Sequence, residues 1–349
     1  TLILDKSSQD WFFEVADKPV LSINRHFSAL VDLDITYTQA EKLHLIKYDT
    51  DLFNRHRVGH QYMLDTLIEM VRSDKKMPPE LLDIVSAYLE DTTHPAFVAQ
   101  ALQLPTLSEI TNILDTIDLE KVIEKRTTVR KAIATTYDDK LVQIYEENKG
   151  HTPYAPVPEQ ADKRALKNVA LSYLALIEED ERAWTQYKQA DNFTDLTAAL
   201  AVLVHNDMPH KVDALADFYI RYEKDDLALN RWFAIQASTP QTDTIDTIKK
   251  LLKHPKFDLL NPNRVRAVLG VFSANMPAFH QEEGYRLLAD KVVELDKVNP
   301  HMAARLVQAF GIYKKTDAFR RAHAEQVLKD LLAKKLSTQT TELVQKIIG

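Results

Sequence analysis

From Thr38 onward, apolar residues recur at the spacing of an amphipathic helix. Leu52, Val58, Met63, Leu67 and Val71 follow Asp51 in this way. The starts are punctuated. Thr38-Gln-Ala-Glu41 reads as a capping box, in which a hydroxyl takes an orphan N–H and a Glu three residues on reaches back. Pro78-Pro79-Glu-Leu-Leu places proline where a helix start does not miss its N–H. Ser108-Glu-Ile-Thr and Asp118-Leu-Glu-Lys open two more helices, the second running to about Glu147. Gly150-His-Thr-Pro153-Tyr-Ala-Pro156-Val-Pro158 is a loop within one array, too short for a tether between domains. Beyond it the pattern predicts helices near 160–178, 180–190, 194–206, 209–224, 226–238 and 241–253. The first 36 residues differ. Thr1–Leu4, Trp11–Val15 and Leu30–Ile35 are rich in β-branched and aromatic residues and read as short strands separated by polar turns and Pro19. They fit the end of a β-domain better than a free-standing sheet, because so few strands are not stable alone. The chain also begins without Met, so it is expected to be a piece of something longer.

The last third carries an internal echo. Asn261-Pro262 and Asn299-Pro300 are 38 residues apart, and each reads as an Asn cap followed by Pro in the first helical position. Each precedes an apolar run: Val265, Val268, Leu269 and Phe272, then Met302, Leu306 and Phe310. Antiparallel helix pairs at about 40-residue spacing are the signature of HEAT- or armadillo-like stacking.

Composition narrows the function classes. Six glycines in 349 residues, against a usual level of about 7%, leave no place for a Gly-x-Gly-x-x-Gly fingerprint or a Walker loop. The same scarcity argues against a large β-sandwich or barrel, whose tight turns consume glycine. With no cysteine there are no disulfides, thiol nucleophiles or Cys-ligated zinc. Formal net charge is −7 and no basic block occurs, which argues against a nucleic-acid partner. No run of about 18 apolar residues implies a membrane span.

Candidate chemistry is sparse. His56-Arg-Val-Gly-His60 puts two imidazoles on one helix face, as zinc requires. However, Arg57 stands where a zincin has its Glu, and Gly59 weakens the helix, so two surface histidines is the preferred reading. His205 and His210 are five residues apart and face different directions. No Gly-x-Ser-x-Gly elbow occurs, and Glu178-Glu-Asp-Glu181 reads as a solvated face. The arginines near the Asn-Pro caps stand out. Arg264 and Arg266 sit in the opening turns of a helix without an accompanying acid, against the macrodipole. His301 and Arg305 are spaced i, i+4 and share a face. If the two hairpins stack, Arg266 and Arg305 occupy equivalent places on one concave surface, suited to grip carboxylates or carbonyls. The bland alternative is surface arginines paired with nearby acids.

The run Asn261-Pro-Asn-Arg-Val-Arg-Ala-Val-Leu-Gly-Val-Phe272 resembles a signature of the bacterial aminopeptidase N family, the gluzincin-type zinc aminopeptidases. Asn299-Pro-His-Met-Ala-Ala-Arg-Leu306 is similar to the family's Asn-Pro-x-x-Ala-x-Arg-Leu. Arg164-Ala-Leu-Lys-Asn168 with Leu171 and Leu174, and Arg231-Trp-Phe-Ala-Ile-Gln236 with Pro240, also match, as do the final helices from Arg320 to Ile348. The matches keep family order over nearly the whole chain.

The resemblance implies a mainly α fold: residues 37–349 as a superhelical C-terminal cap of antiparallel helix pairs, and residues 1–36 as the last strands of a small β-sandwich. It implies a catalytic domain upstream in the same polypeptide, with zinc in the intact enzyme. Neither His-Glu-x-x-His nor Gly-Ala-Met-Glu-Asn occurs here, so this chain carries no catalytic or metal residues and is expected to be inactive alone. The cap encloses the cavity that admits peptides. The family's two cap arginines map onto Arg266 and Arg305 as substrate-binding residues, and His301 stands at a cavity-lining position that is commonly Gln. Partners are then the upstream catalytic domain and peptide substrates, in the cytoplasm. The competing reading is a free-standing helical-repeat module that binds a protein or peptide. The codons before Thr1 discriminate between the two.

Overall fold

The structure, a computed structural model, describes residues 2–150, 152–177 and 181–349. Among them it forms twenty α-helices, most of them short and closely connected. The first group is α1 (Gln39–Tyr48), α2 (Leu52–Ser73), α3 (Glu80–Leu89), α4 (Pro95–Ala101), α5 (Leu107–Ile113), α6 (Leu119–Thr136) and α7 (Asp138–Glu147). The middle holds α8 (Pro158–Leu174), α9 (Arg182–Gln189), α10 (Phe193–His205), α11 (Lys211–Tyr222), α12 (Asp226–Ala237) and α13 (Thr244–Leu252). Last come α14 (Pro262–Val265), α15 (Val271–Ala274), α16 (Met276–Phe279), α17 (Glu282–Asp296), α18 (Pro300–Val307), α19 (Ala318–Leu332) and α20 (Thr338–Ile348). A π-helical turn, Arg266–Gly270, joins α14 to α15, and a 3₁₀ stretch, Gln308–Lys315, follows α18.

The capping chemistry explains the boundaries. Thr38 and Glu41 bond reciprocally at the start of α1. A second capping box, Thr106 with Glu109, opens α5 one residue before the helix expected from Ser108. The single helix expected from Asp118 to Glu147 is two helices. The backbone leaves helical geometry at Tyr137, whose hydroxyl donates to the Leu82 carbonyl at 2.6 Å. The acidic run at 178–181 falls outside the described residues except for Glu181, which is exposed.

Repeats are tied to one another at a nearly constant sequence interval. Arg264 reaches Asp226 and Asn275 reaches the Ala237 carbonyl, each across 38 residues. Gln339 meets His301 across 38 residues, and Gln281 meets the Thr242 carbonyl across 39. Helix pairs stacked with this step bury one continuous core, lined by residues such as Phe218, Phe233, Phe272, Phe279 and Phe310. Glycine permits a close approach in that core: a Cβ at Gly59 would collide with the Tyr88 hydroxyl, so α2 and α3 approach only because none is there.

The array closes on itself. The Ile117 N–H donates to the Lys315 carbonyl at 2.7 Å, and Lys315 Nζ donates to the Asn112 and Leu114 carbonyls at 3.0 and 2.9 Å. These contacts span about 200 residues.

The strands expected in 1–36 do not form. Residues 2–36 hold no strand, only extended chain and one short 3₁₀ turn, Arg25–Phe27. The physical reason is the lack of a ladder partner: a strand's backbone groups need a neighbour, and among the described residues no other segment pairs with these runs; Thr1 of the first run lies outside them. Their apolar residues stay exposed, with Phe12 at 93% and Leu30 at 88%. The segment is pinned to the helices further along, where Arg25 donates to Asp49 at 2.8 Å and Tyr37 to the Leu21 carbonyl at 2.9 Å.

Candidate functional site

Each of the two Asn-Pro starts builds as its sequence requires. The Asn261 side chain accepts from the N–H groups of Asn263 and Arg264, with Pro262 in the first turn. Asn299 accepts from the Met302 N–H, with Pro300 in the first turn. These caps fix the rotation of α14 and α18, and with it the directions of their arginines.

Arg264 and Arg266 part company at once. Two residues are about 200° of helix rotation, so their side chains leave on opposite sides. Arg264 turns inward. It is buried, its Nη2 meets Asp226 at 3.0 Å, and its guanidinium lies 4.9 Å from the Phe233 ring. Its Nε and Nη1 are buried without a partner among the described residues. Burial pulls its pKa below the ordinary arginine value, against the opposing pull of Asp226. Arg266 turns outward, held at its base by the Asn263 carboxamide oxygen at 2.8 Å. It lies in the π-helical turn, a local irregularity that often marks a functional place.

His301 and Arg305 are both exposed and share one face of α18. The Gln339 side-chain amide of α20 donates to His301 Nδ1 at 3.1 Å. Arg305 makes no side-chain hydrogen bond or ion pair with a described residue. Of the three residues expected in the site, His301 and Arg305 are brought together. Arg266 stands on a separate helix at the corresponding distance from its own Asn cap, five residues on against six. Arg264 is a packing residue. The exposed guanidinium groups of Arg266 and Arg305, the latter without a side-chain partner among the described residues, can donate hydrogen bonds to carbonyl or carboxylate oxygens of a ligand.

The histidine pair of α2 shows what it can and cannot do. The rings of His56 and His60 stack with centroids 5.4 Å apart, and His60 Nε2 sits 2.8 Å from Glu109. Burial, then the neighbouring His60, holds the His56 pKa below the ordinary value. Arg57 donates to Asn54. Among the described residues no three His, Asp or Glu side chains converge as a metal site. His205 and His210 do diverge: His205 Nε2 contacts the Ile235 carbonyl at 3.0 Å, whereas the His210 ring stacks 4.7 Å from Trp184.

The chain as a whole is similar to known proteins. Aminopeptidase N of Escherichia coli K12 is 29% identical over 99% of this chain, and aminopeptidase N of Caulobacter vibrioides is 30% identical over 96%. The chain spans only 41% and 40% of those relatives' own lengths. A crystal structure of Legionella pneumophila aminopeptidase A in complex with aspartic acid superposes with a TM-score of 0.83 at 32% identity. That match covers 93% of this chain and 40% of the other. Residues 39–349 match the family described as "Domain of unknown function (DUF3458_C) ARM repeats", and the chain belongs to that family of armadillo-repeat domains.

Proposed function

We propose that this chain is the helical cap of a zinc aminopeptidase that removes N-terminal residues from peptides. In this reading residues 37–349 close over a catalytic domain supplied by another part of the same polypeptide. Residues 1–36 complete a small β-sandwich that covers the exposed Phe12, Phe13 and Leu30. Arg266 and Arg305, flanked by His301, bind the downstream carbonyls or carboxylate of the peptide. Zinc and the bond-breaking groups belong to the catalytic domain, and no step of the chemistry falls to residues of this chain. A cytoplasmic setting belongs to the same proposal, and the cysteine-free composition is compatible with it.

The observation that carries the reading is the uncommitted guanidinium of Arg305 beside His301, on a domain similar to part of aminopeptidase N. An exposed arginine with no acid paired to it among the described residues, in a protein of net charge −7, is available to an anionic ligand.

Two measurements test this. The purified chain should hydrolyse no aminoacyl-anilide, with or without added zinc. It should also bind a short peptide bearing a free C-terminal carboxylate more tightly than the C-terminal amide. Arg305→Ala should erase that preference, a loss of about tenfold for one charge-assisted hydrogen bond. Turnover by the chain, or equal binding of acid and amide, would sink the reading.

A further inference from the structure

A cavity of about 730 Å³ lies at the seam where the array closes. Its walls come from the beginnings of α6, α17 and α19 and from the segment leading into α13, elements far apart in sequence. It sits at the other end of the α17–α18 pair from His301. Helices α17 and α18 form an antiparallel pair joined by three residues. The cavity is at the start of α17, and His301 at the start of α18. One length of α17 separates those ends, about 22 Å for fifteen residues at about 1.5 Å each.

The interior is apolar. Leu119, Ile123, Pro277 and Phe319 line it, and Phe319 keeps 61% of its surface exposed. An exposed phenyl ring facing a cavity of this size is how a small-molecule site is built. The rim decides the charge of the occupant. Four carboxylates line the cavity, Glu120, Glu124, Glu282 and Glu283, against one guanidinium, Arg320. Arg320 is already committed: it bonds Glu120 at 3.0 Å, Asp317 at 2.7 Å and the His280 carbonyl at 2.8 Å. Glu283 is bridged by Lys249, and Glu282 by Arg286 at 2.6 Å and His323 at 3.1 Å. Glu124 is the least compensated. Its neighbour Lys125 stands 3.5 Å away and lies closer to Asp74, at 2.7 Å. His280 also lines the cavity. Burial, then Arg320, holds its pKa down to about 4, so it is neutral at pH 7 and adds no repulsion to a cation.

We propose that this seam cavity is a binding site for a small amphipathic cation, a primary amine carried on an apolar or aromatic body. The body packs on Phe319 and Ile123 while the ammonium meets Glu124, the least compensated carboxylate of the rim. An amine bound there touches the α6 start on one side of the seam and the α17 and α19 starts on the other, and so holds the array closed. The proposal does not depend on the peptide reading of Arg266 and Arg305.

The test uses the 349-residue chain with three probes of one shape: phenethylammonium, 2-phenylethanol and phenylacetate. Titration calorimetry should give one saturable site for the amine, with the alcohol and the acid at least about tenfold weaker. Glu124 is largely exposed, so Glu124→Gln keeps its fold and should weaken the amine about tenfold. Phe319→Ala should weaken all three probes. Hydrogen exchange at 112–120 and 315–320 should slow when the amine is bound. No saturation by the amine at 10 mM, equal binding of the three probes, or full amine affinity in both variants would overturn the proposal.

Discussion

Gly59→Ala should destabilise the protein, although alanine is the better helix former. Gly59 lies inside α2, where replacing glycine with alanine normally stabilises by about 1 kcal/mol. Here the new methyl would meet the Tyr88 hydroxyl and lie 2.8 Å from Cζ of the same ring. Tyr88 is 1% exposed, and its hydroxyl donates to the Arg55 carbonyl at 3.0 Å. The ring cannot retreat freely, because Phe97 packs edge-on 5.7 Å away and carries the Arg55 guanidinium at 4.6 Å. Overpacking of this kind costs about 1–3 kcal/mol, and the displaced hydroxyl loses a hydrogen bond worth about 1 kcal/mol. After the propensity gain, the net loss is about 2 kcal/mol. Urea unfolding should show a lower midpoint, and hydrogen exchange should accelerate in α2 and α3 first. Tyr88→Phe added to Gly59→Ala should recover part of the loss, since it removes the atom of closest overlap. A Gly59→Ala protein as stable as the parent would refute the argument that close approach of α2 and α3 requires glycine.

Other consequences are as definite. His280 is buried neutral, with a folded pKa of about 4 against an ordinary value near 6.5, so its stabilising effect is full above pH 6.5 and is lost as pH falls toward 4. Urea titrations should lose about 3 kcal/mol across that window, and His280→Gln should flatten that part of the slope. Asn261→Ala and Asn299→Ala should each cost about 1 kcal/mol in unfolding free energy, because each removes a cap. Lys315→Met should loosen the seam by freeing the carbonyls of Asn112 and Leu114. Exchange protection should fall at 112–120 and 315–320 while the α2–α3 core is unchanged.

Local chemistry made most of the helical array legible. The Thr38–Glu41 box and the two Asn-Pro caps act within four residues, so the sequence displays them directly. The break at Tyr137 did not show, because it depends on a hydrogen bond to Leu82, 55 residues away. The strand-like runs in 1–36 carry strand composition without a partner within the chain, and composition alone does not form a ladder. At the candidate site, i, i+4 spacing put His301 and Arg305 on one face. The same helical arithmetic separates Arg264 from Arg266, yet only the position of Asp226 on α12 reveals which of the two is buried. Gly59 looked like a weakness of its helix and is instead a contact point. The seam and its cavity had no sequence signal at all, since they join residues about 200 apart.

The proposed role of Arg266 and Arg305 in peptide binding within a larger aminopeptidase is open to direct test. The most direct measurement is steady-state kinetics of the polypeptide that joins this chain to its catalytic domain. A pentapeptide is compared with a single aminoacyl-anilide in the parent and in Arg266→Ala/Arg305→Ala. The kcat/KM for the peptide should fall at least about tenfold while the anilide changes less than about twofold, because only the peptide reaches the arginines. An equal fall for both substrates, or no fall for either, would contradict it.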